Sequence, residues 1–413
     1  MNKLDPHQIR NDFPMYKNHD SKFNGLPLVY LDNSATTFKP QCVIDSCNHY
    51  YCDITANTRR GDYSLANAAD KEFDESRKII ASFINAKKVE EVIFTSGDTA
   101  GLNTIAYGLV PLLSKDDEII LTQSEHASNV LPWFSVSKIT GAKIKYIQLD
   151  EKGKVTVDGL RKVISEKTKI VSIASVSNVM GYNIDVKELV RLTHSYNAIY
   201  IDDAAQSVAH QKTDVQESDV DLMVFSGHKM LGPTGIGILY GKMEILEKMT
   251  PLFYGGEMNA RFNSNGYLSL DDIPYRFEAG TQNIAGVYGL ATACKYLNSI
   301  GFDKIANHEK ELKKLAVDGL KKNGNAIIYN EEADTGILTF NIKNVFPQDV
   351  ATYLSHKGVF VRSGTHCAKI LPEFLKVDGT VRASFYLYNT KEDVEAFVKA
   401  CCTAEDFLDA FFD

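Results

Sequence analysis

A lysine that follows a short apolar run is the first chemically informative feature of the chain. Residues 224–229 read VFSGHK, so Ser226, His228 and Lys229 come where a buried strand would end. Open α/β sheets bind ligands at the carboxyl ends of their strands. An amine in such a pocket can form a Schiff base, and Ser226 and His228 could contact a phosphate. The alternative is that Lys229 is an ordinary surface charge.

Two carboxylates end another apolar run, at residues 198–201. Asp202 and Asp203 follow it directly, and Gln206 comes shortly after them. A carboxylate at this place can pair with the pyridinium nitrogen of an aromatic cofactor and keep its ring electron-withdrawing. Asp203 is our predicted partner of such a ring, with Asp202 as its neighbour. The alternative is an aspartate that caps the next helix.

Three further polar groups follow predicted strand ends. The run at 92–95 leads into SGDTAGLN at 96–103, where glycines would let backbone amides converge on a phosphate next to Thr99. His126 follows a second run, and its imidazole could stack on an aromatic ring and exchange protons near physiological pH. Asn178 follows a third run. The spacing therefore predicts one pocket built from successive strand ends.

A candidate nucleophile lies near the carboxyl terminus, in the segment RSGTHCA at 362–368. Cys367 has His366 before it and Arg362 and Lys369 nearby, and we expect these three side chains to make the local field positive. Positive surroundings favour the thiolate, which is the nucleophilic form of cysteine. The alternative is a structural His-Cys pair.

The elements that must position these groups follow from the apolar pattern. Short, unbroken apolar runs alternate with amphipathic stretches through the first 290 residues, as expected for a largely parallel sheet covered by helices on both faces. The predicted strands are 92–95, 118–121, 143–149, 170–174, 198–201, 222–225 and 236–239. The sequence therefore predicts an α/β domain.

The order of elements changes after about residue 290. The sequence predicts one long helix and then a mixture of short strands and helices. The predicted elements are the helix 291–322, the strands 326–329, 337–342, 359–361 and 380–385, and the helices 348–356 and 391–412. We therefore predict a large α/β domain at 26–290 and a smaller α+β domain at 291–413, on which residues 1–25 pack.

Composition excludes some classes of partner. The chain has 413 residues, 44% of them hydrophobic, and a formal net charge of −8, so nothing general attracts nucleic acid or an anionic membrane. There is no apolar leader and no run of about 18 apolar residues, so we expect a cytoplasmic protein. Its seven cysteines are an odd number without zinc-like spacing, which favours reduced thiols and no metal site.

Taken in order, the motifs resemble those of the class V aminotransferase family of fold-type I pyridoxal-phosphate enzymes. Within that family they are most similar to the SUF-type (group II, SufS- and NifS-like) cysteine desulfurases. The matching segments are YLDNSATT at 30–37, NTRRG at 57–61, FEAGT at 277–281, RSGTHCA at 362–368 and VRAS at 381–384. The resemblance implies a mostly parallel seven-stranded sheet in the large domain and a smaller α+β domain that carries the cysteine loop.

The resemblance also implies a cofactor, pyridoxal 5'-phosphate, and a role for each pocket residue. Lys229 would form the Schiff base, Asp203 would pair with the pyridine nitrogen, His126 would stack on the ring and Gln206 would bind the ring hydroxyl. The phosphate would be held by Thr99, Ser226, His228 and, from the other subunit of a homodimer, Thr281, with Asp98 also in the cofactor site. Arg382 would clamp the substrate carboxylate, with Asn178 assisting and Arg362 nearby.

The reaction implied is the conversion of L-cysteine to L-alanine, with the sulfur received by Cys367 as a persulfide. Arg382 lies only 15 positions after Cys367, so the loop is short. Group II members share this feature, which implies that a SufE-like or SufU-like acceptor collects the sulfur for iron–sulfur clusters or another thio-cofactor. The alternatives are a selenocysteine lyase, another class V aminotransferase, or a scaffold without activity.

Three positions depart from the family pattern. Asp98 stands in the phosphate turn where a small or hydroxyl residue is usual, and a carboxylate there would repel a phosphate, so we expect it to turn outward or cap the helix. Arg59 replaces a common histidine. Gln348 stands where relatives served by zinc-containing acceptors often have histidine, which leaves the identity of the acceptor open.

Overall fold

Seven strands form the largest sheet of the computed structural model, and all except the edge strand at 143–147 are largely buried. In chain order they are β1 (Val92–Thr95), β2 (Glu118–Thr122), β3 (Lys143–Ile147), β4 (Thr168–Ala174), β5 (Ile199–Asp203), β6 (Leu222–Ser226) and β7 (Gly237–Gly241). Across the sheet the order is β1-β7-β6-β5-β4-β2-β3. Strands β2 to β6 are parallel to one another, and β7 runs antiparallel between β1 and β6. The predicted α/β fold with a mostly parallel sheet is confirmed.

The structure describes residues 3–258 and 260–411. Within these ranges, helices pack on the seven-stranded sheet and on a second, smaller sheet. They are α1 (Pro6–Arg10), α2 (Pro14–Lys17), α3 (Gln41–Asp53), α4 (Ser64–Phe83), α5 (Asp98–Gly108), α6 (Leu131–Thr140), α7 (Val157–Arg161), α8 (Val186–His194), α9 (Val215–Ser218), α10 (Met243–Leu246), α11 (Ile284–Ile300), α12 (Phe302–Asn323), α13 (Pro347–His356), α14 (Leu371–Leu375) and α15 (Lys391–Cys402). In these ranges we find no helix that combines the length and the apolar character needed to cross a membrane.

A second, four-stranded sheet forms the centre of the smaller domain. Its strands are β8 (Ala326–Ile328), β9 (Ile337–Ile342), β10 (Arg362–Gly364) and β11 (Thr380–Ser384). They lie in the order β8-β9-β11-β10, and all pairings are antiparallel. One face packs on α12, α13 and α15, with Leu338, Phe340 and Phe397 in the core between them. The expected smaller α+β domain is therefore present.

The prediction of one helix over 291–322 was wrong. The chain forms α11 and α12 instead, separated by Gly301, whose φ of 92° is not helical. Glycine adopts this conformation without a steric penalty, so the helix axis can change direction there. Similarly, α15 ends at Cys402 and is followed by a 3-10 segment at Ala404–Phe411, and the predicted end at Phe412 lies outside the described residues.

The first helices dock on the carboxyl-terminal part of the chain. The Phe13 ring packs edge-on against Tyr296 and Tyr388, and Arg10 forms an ion pair with Asp393. These contacts agree with packing of residues 1–25 on the predicted smaller domain. Helix α11 runs across residue 290, so the division into domains stays a proposal whose boundary falls inside a helix.

Candidate functional site

Polar side chains from five strand ends meet in one cavity. Parallel strands end at the same edge of a sheet, which is why residues far apart in sequence come together here. The cavity is lined by Asp98, His126, Ala174, Val176, Asn178, Asp203, Ala205, Gln206 and Lys229. Six of these were predicted site residues, and the structure brings all six to the same place.

Lys229 is held by a short turn after β6. Residues Gly227–Lys229 form one 3-10 turn, and the carbonyl of His228 accepts hydrogen bonds from the Thr37 amide at 3.0 Å and the Lys39 amine at 2.8 Å. Segment 36–39 therefore fixes the turn that presents Lys229 to the cavity. Burial lowers the pKa of His228 to about 4, so its ring is neutral near pH 7.

The structure distinguishes the two aspartates at the end of β5. Asp203 lines the cavity with Lys229, whereas Asp202 lines a separate surface pocket near Ser175. Burial raises the pKa of Asp203, and the charge of Lys229 opposes that rise. Burial raises the pKa of Asp202 to about 7. Strand alternation sends neighbouring side chains to opposite faces, so only Asp203 can face a ligand beside Lys229.

His126 is a neutral imidazole oriented by a serine. Burial, assisted by the charge of Lys229, lowers its pKa to about 4. The Ser128 amide donates to Nδ1 at 3.2 Å, which leaves the proton on Nε2. The Ser128 hydroxyl also lies 2.7 Å from the Thr99 hydroxyl, so one residue links the imidazole ring to the first turn of α5. Ser128 was not predicted as a site residue, although it lies only two positions after His126.

Asp98 does not point to solvent, and this expectation was wrong. It is the first residue of α5, its side chain is buried, and the helix cap is Gly97. Its backbone N–H donates to the Ser226 hydroxyl at 2.8 Å, and its side chain lines the cavity together with Asp203. Burial and the charge of Asp203 raise the pKa of Asp98 well above its usual range.

Cys367 lies on a strained loop that is tied to the cavity. Both His366 and Cys367 adopt left-handed conformations, with φ of 52° and 61°, which are unfavourable for residues other than glycine. The Asn178 amide donates to the His366 carbonyl at 2.8 Å, and the Ala127 N–H donates to the Cys367 carbonyl at 2.8 Å. These bonds hold the half-buried thiol beside the groups that line the cavity.

The charge near Cys367 comes from arginine and not from histidine. Arg362 places Nη2 3.6 Å from the Cys367 sulfur. His366 is buried against Thr380, and burial together with Arg382 lowers its pKa to about 3. The expectation that His366 adds positive charge was wrong, because a histidine buried between two arginines stays neutral at physiological pH.

Arg382 is buried next to the cavity and is only 1% exposed. Its Nη2 lies 2.9 Å from Asp32 Oδ1, and its Nη1 donates to the Asn178 carbonyl at 2.9 Å. Its Nε has no partner among the described residues. Asp32 lies in the matched segment 30–37, but the sequence did not reveal that it is the counter-ion of Arg382.

The four predicted phosphate ligands do not all lie near the cavity. Ser226 is buried at the end of β6, and Thr99 and His228 lie beside the cavity on adjacent turns. Thr281 is exposed and does not line the cavity of its own chain. The segment before it is fixed by Glu278, which forms a buried bidentate pair with Arg77 at 2.6 and 2.8 Å.

The residues present fit the cofactor that the resemblance implies. Asp98 Oδ1, Asn178 Oδ1 and Arg382 Nε are buried and have no hydrogen-bond partner among the described residues. Buried polar atoms are normally satisfied, so such orphans beside one cavity indicate a polar ligand. An amine and a carboxylate in the same cavity match an aldehyde and a pyridine nitrogen. In the described part of the chain, no group of three or more His, Cys, Asp or Glu side chains could hold a metal ion.

Comparison with known proteins agrees with this geometry. A relative from Halalkalibacterium halodurans, named "probable cysteine desulfurase", is 44% identical over 411 residues, which cover 99% of this chain and 100% of that protein. The crystal structure of the cysteine desulfurase CsdA from Escherichia coli superposes with a TM-score of 0.90 at 35% identity, covering 98% of this chain and 99% of that one. The apo cysteine desulfurase from Thermococcus onnurineus NA1 gives 0.90 at 36% identity, covering 97% of each chain.

The family model described as aminotransferase class-V matches residues 29–397. This match includes every residue that lines the cavity as well as the loop of Cys367. The chain therefore belongs to the aminotransferase class-V family and is similar over nearly its whole length to proteins named cysteine desulfurase.

Proposed function

We propose that the protein is a pyridoxal-phosphate-dependent cysteine desulfurase that moves sulfur from L-cysteine to Cys367. One observation carries this proposal: the loop of Cys367 is hydrogen-bonded to Ala127 and Asn178, next to the groups that line the cavity of Lys229. An aminotransferase needs the lysine but not the thiol. The relatives named cysteine desulfurase support the same choice.

Each cavity residue has a proposed task. Lys229 would bind the aldehyde of the cofactor, Asp203 would pair with its pyridine nitrogen, and His126 and Gln206 would contact its ring. Its phosphate would meet the turn of Thr99, Ser226 and His228. Bound pyridoxal phosphate supplies an electron sink that weakens bonds at the α and β carbons of an amino acid. The neutral Nε2–H of His126 can donate a hydrogen bond in the cavity but carries no positive charge there.

Arg382 and Asn178 are the proposed ligands of the substrate carboxylate. The guanidinium of Arg382 is already fixed by Asp32 and by the Asn178 carbonyl, and its Nε is free to donate. A guanidinium is suited to planar, bidentate recognition of a carboxylate. Arg362 lies on the neighbouring strand and faces the sulfur of Cys367, so we assign its charge to the thiol.

Cys367 is the proposed sulfur acceptor. Its thiolate attacks the sulfur of bound cysteine, so an S–S bond forms as the substrate Cβ–S bond breaks. The electron pair of the broken bond stays with carbon, which takes a proton and leaves as alanine. Arg362 lies 3.6 Å from the Cys367 sulfur, and the tied loop limits the distance that the sulfur must cross.

The persulfide then needs an external acceptor. The loop of Cys367 is short and hydrogen-bonded to the cavity, so it cannot carry sulfur far. We propose that a small SufE-like or SufU-like protein docks at the cavity and takes the sulfur for iron–sulfur clusters or another thio-cofactor. If neither kind of acceptor accelerates persulfide turnover, this part of the proposal is wrong.

We also propose a homodimer. The hairpin of Arg261–Phe262 and Leu268–Ser269 presents apolar side chains to solvent, with Phe262 76% exposed and Tyr267 58% exposed. Large apolar patches rimmed by polar groups mark protein interfaces. A partner covering the hairpin would account for them and could bring its own Thr281 to the phosphate turn. Phe262→Glu should dissociate the dimer, as measured by light scattering.

The main experiment combines a spectrum with single-turnover chemistry. The purified protein loaded with pyridoxal phosphate should show visible Schiff-base absorbance that Lys229→Ala lacks. Mixed with L-cysteine, it should release about one alanine per site and carry a persulfide on Cys367 by mass spectrometry. Arms with L-selenocysteine and with a keto acid separate the two rival activities. Turnover of the keto acid without persulfide formation would contradict the proposal.

A further inference from the structure

Asp98 places a second carboxyl group in the cavity of Asp203. Its side chain is only 6% exposed, and Oδ1 has no hydrogen-bond partner among the described residues. The backbone N–H of Asp98 donates to the Ser226 hydroxyl at 2.8 Å, which fixes the start of α5 at the cavity that the Asp98 side chain lines. This carboxyl group has no part in the function proposed above.

Few charges surround the two carboxyl groups. Asp203 faces Asp98 from β5 within hydrogen-bonding contact, and Lys229 faces both from the turn after β6. Asp202 acts at longer range from the other side of β5, and His126 across the cavity is neutral. Glu125, whose pKa burial raises to about 8, also interacts with Asp203. Two buried carboxylates and one amine leave an excess negative charge, and carboxyl groups in contact do not ionise together.

The proton of such a pair belongs to Asp98. Asp203 Oδ1 accepts the Ala205 N–H at 3.1 Å, and a donated hydrogen bond stabilises the ionised form. Asp98 Oδ1 receives no such bond from the described residues. Asp203 can therefore remain the anion, with Asp98 as the donor to it.

We propose that Asp98 is held as a neutral carboxylic acid that donates a hydrogen bond to Asp203, so that the pair carries a single negative charge opposite Lys229. The consequence for the cofactor rests on the proposed function. A neutral Asp98 does not repel a phosphate at the start of α5, and it leaves one carboxylate, Asp203, for the pyridine nitrogen. Asp98 is thus a positioning residue that acts through Asp203.

Infrared difference spectroscopy of the cofactor-free protein tests the pair directly. The spectrum of wild type minus Asp98→Asn at pH 7 should contain the C=O stretch of a protonated carboxylic acid, shifted in D₂O. Other buried acids such as Asp202 and Glu125 are present in both proteins and cancel. Absence of that band from the difference spectrum overturns the proposal. Asp98→Thr, with a residue type usual at this position in the family, replaces Asp98→Asn if the latter does not fold.

Cofactor binding gives a second, independent measurement. If Asp98 is neutral, Asp98→Asn removes no charge, and the Kd for pyridoxal phosphate should stay within about threefold of wild type. If Asp98→Asn bound pyridoxal phosphate at least about tenfold more tightly than wild type, Asp98 would be a repelling anion in the wild type. That result would overturn the proposal. If wild type shows no visible Schiff-base absorbance with pyridoxal phosphate, the proposed function fails, whereas the infrared result still decides the state of Asp98.

Discussion

Arg362 and Arg382 occupy directly opposed positions on the antiparallel strands β10 and β11. Their guanidinium groups nevertheless contact different partners. Arg362 turns to the Cys367 sulfur at 3.6 Å, and Arg382 turns to Asp32 at 2.9 Å. One pairing position therefore places one guanidinium beside the Cys367 sulfur and the other beside Asp32.

Removing the charge of Arg362 should slow the chemistry of the thiol. In Arg362→Gln the thiolate of Cys367 loses its nearest cation, and alkylation of Cys367 by iodoacetamide at pH 7 should slow by about three- to tenfold. Arg362→Lys keeps the charge and should remain closer to wild type. Equal alkylation rates in wild type and Arg362→Gln would show that the 3.6 Å contact has no electrostatic effect.

Cys367 should be indispensable for sulfur transfer, whereas other thiols should not. In Cys367→Ala, single-turnover release of alanine from cysteine should fall by about 10³-fold or more, because no nucleophile remains to take the sulfur. The variant should still show the cofactor spectrum, since Lys229 is intact. Cys42→Ala, which removes an exposed thiol, is the matched control and should keep full activity. A fully active Cys367→Ala would refute the mechanism.

The ion pair of Asp32 and Arg382 should matter for stability far more than an exposed pair. Asp32→Asn leaves a buried guanidinium without its counter-ion, and the free energy of unfolding should fall by about 2 kcal/mol or more. Glu331→Gln breaks the exposed pair with Lys321 and should cost far less, because solvent screens this pair. Urea denaturation of both variants measures the difference, and equal losses would contradict this account.

Acid should destabilise the cofactor-free protein through its buried histidines. Burial lowers the pKa of His126 to about 4 and that of His366 to about 3, below the unfolded value of about 6.5. As pH falls below about 6.5, the unfolded chain binds protons that the folded chain does not, so stability falls by up to about 1.4 kcal/mol per pH unit for each histidine. Unfolding titrations between pH 7 and 4 should show this slope.

Two histidine variants test whether buried histidines cause the loss of stability as pH falls. His366→Asn should make the loss of stability with acid shallower by about one proton, although it also removes the contact with Thr380. His49 is an exposed histidine whose pKa is raised by hydrogen bonds to Asp53 and Glu72. The folded chain therefore already holds this proton above the unfolded value of about 6.5, and below that pH both states are protonated. His49→Asn should leave the slope between about pH 6 and 4 unchanged, and a slope that became shallower in this variant too would contradict the argument.

The sequence by itself determined the fold class and most members of the cavity. Unbroken apolar runs require a sheet covered on both faces, and polar residues after those runs must then gather at one sheet edge. Lys229, Asp203, His126 and Asn178 could be predicted for this reason, and the structure brings them into one cavity. The family motifs supplied the expectation that Cys367 belongs beside them.

Only the tertiary structure decided the electrostatics of these groups. Whether a histidine is charged depends on burial and on neighbouring cations, and burial, with the charges of Arg382 and Arg362, lowers the pKa of His366 to about 3. Asp98 looked like a residue that would avoid the cavity, but it is buried and lines the cavity with Asp203. The sequence determines which residue follows each strand. Desolvation and contacts with residues distant in the sequence determine whether that residue is protonated.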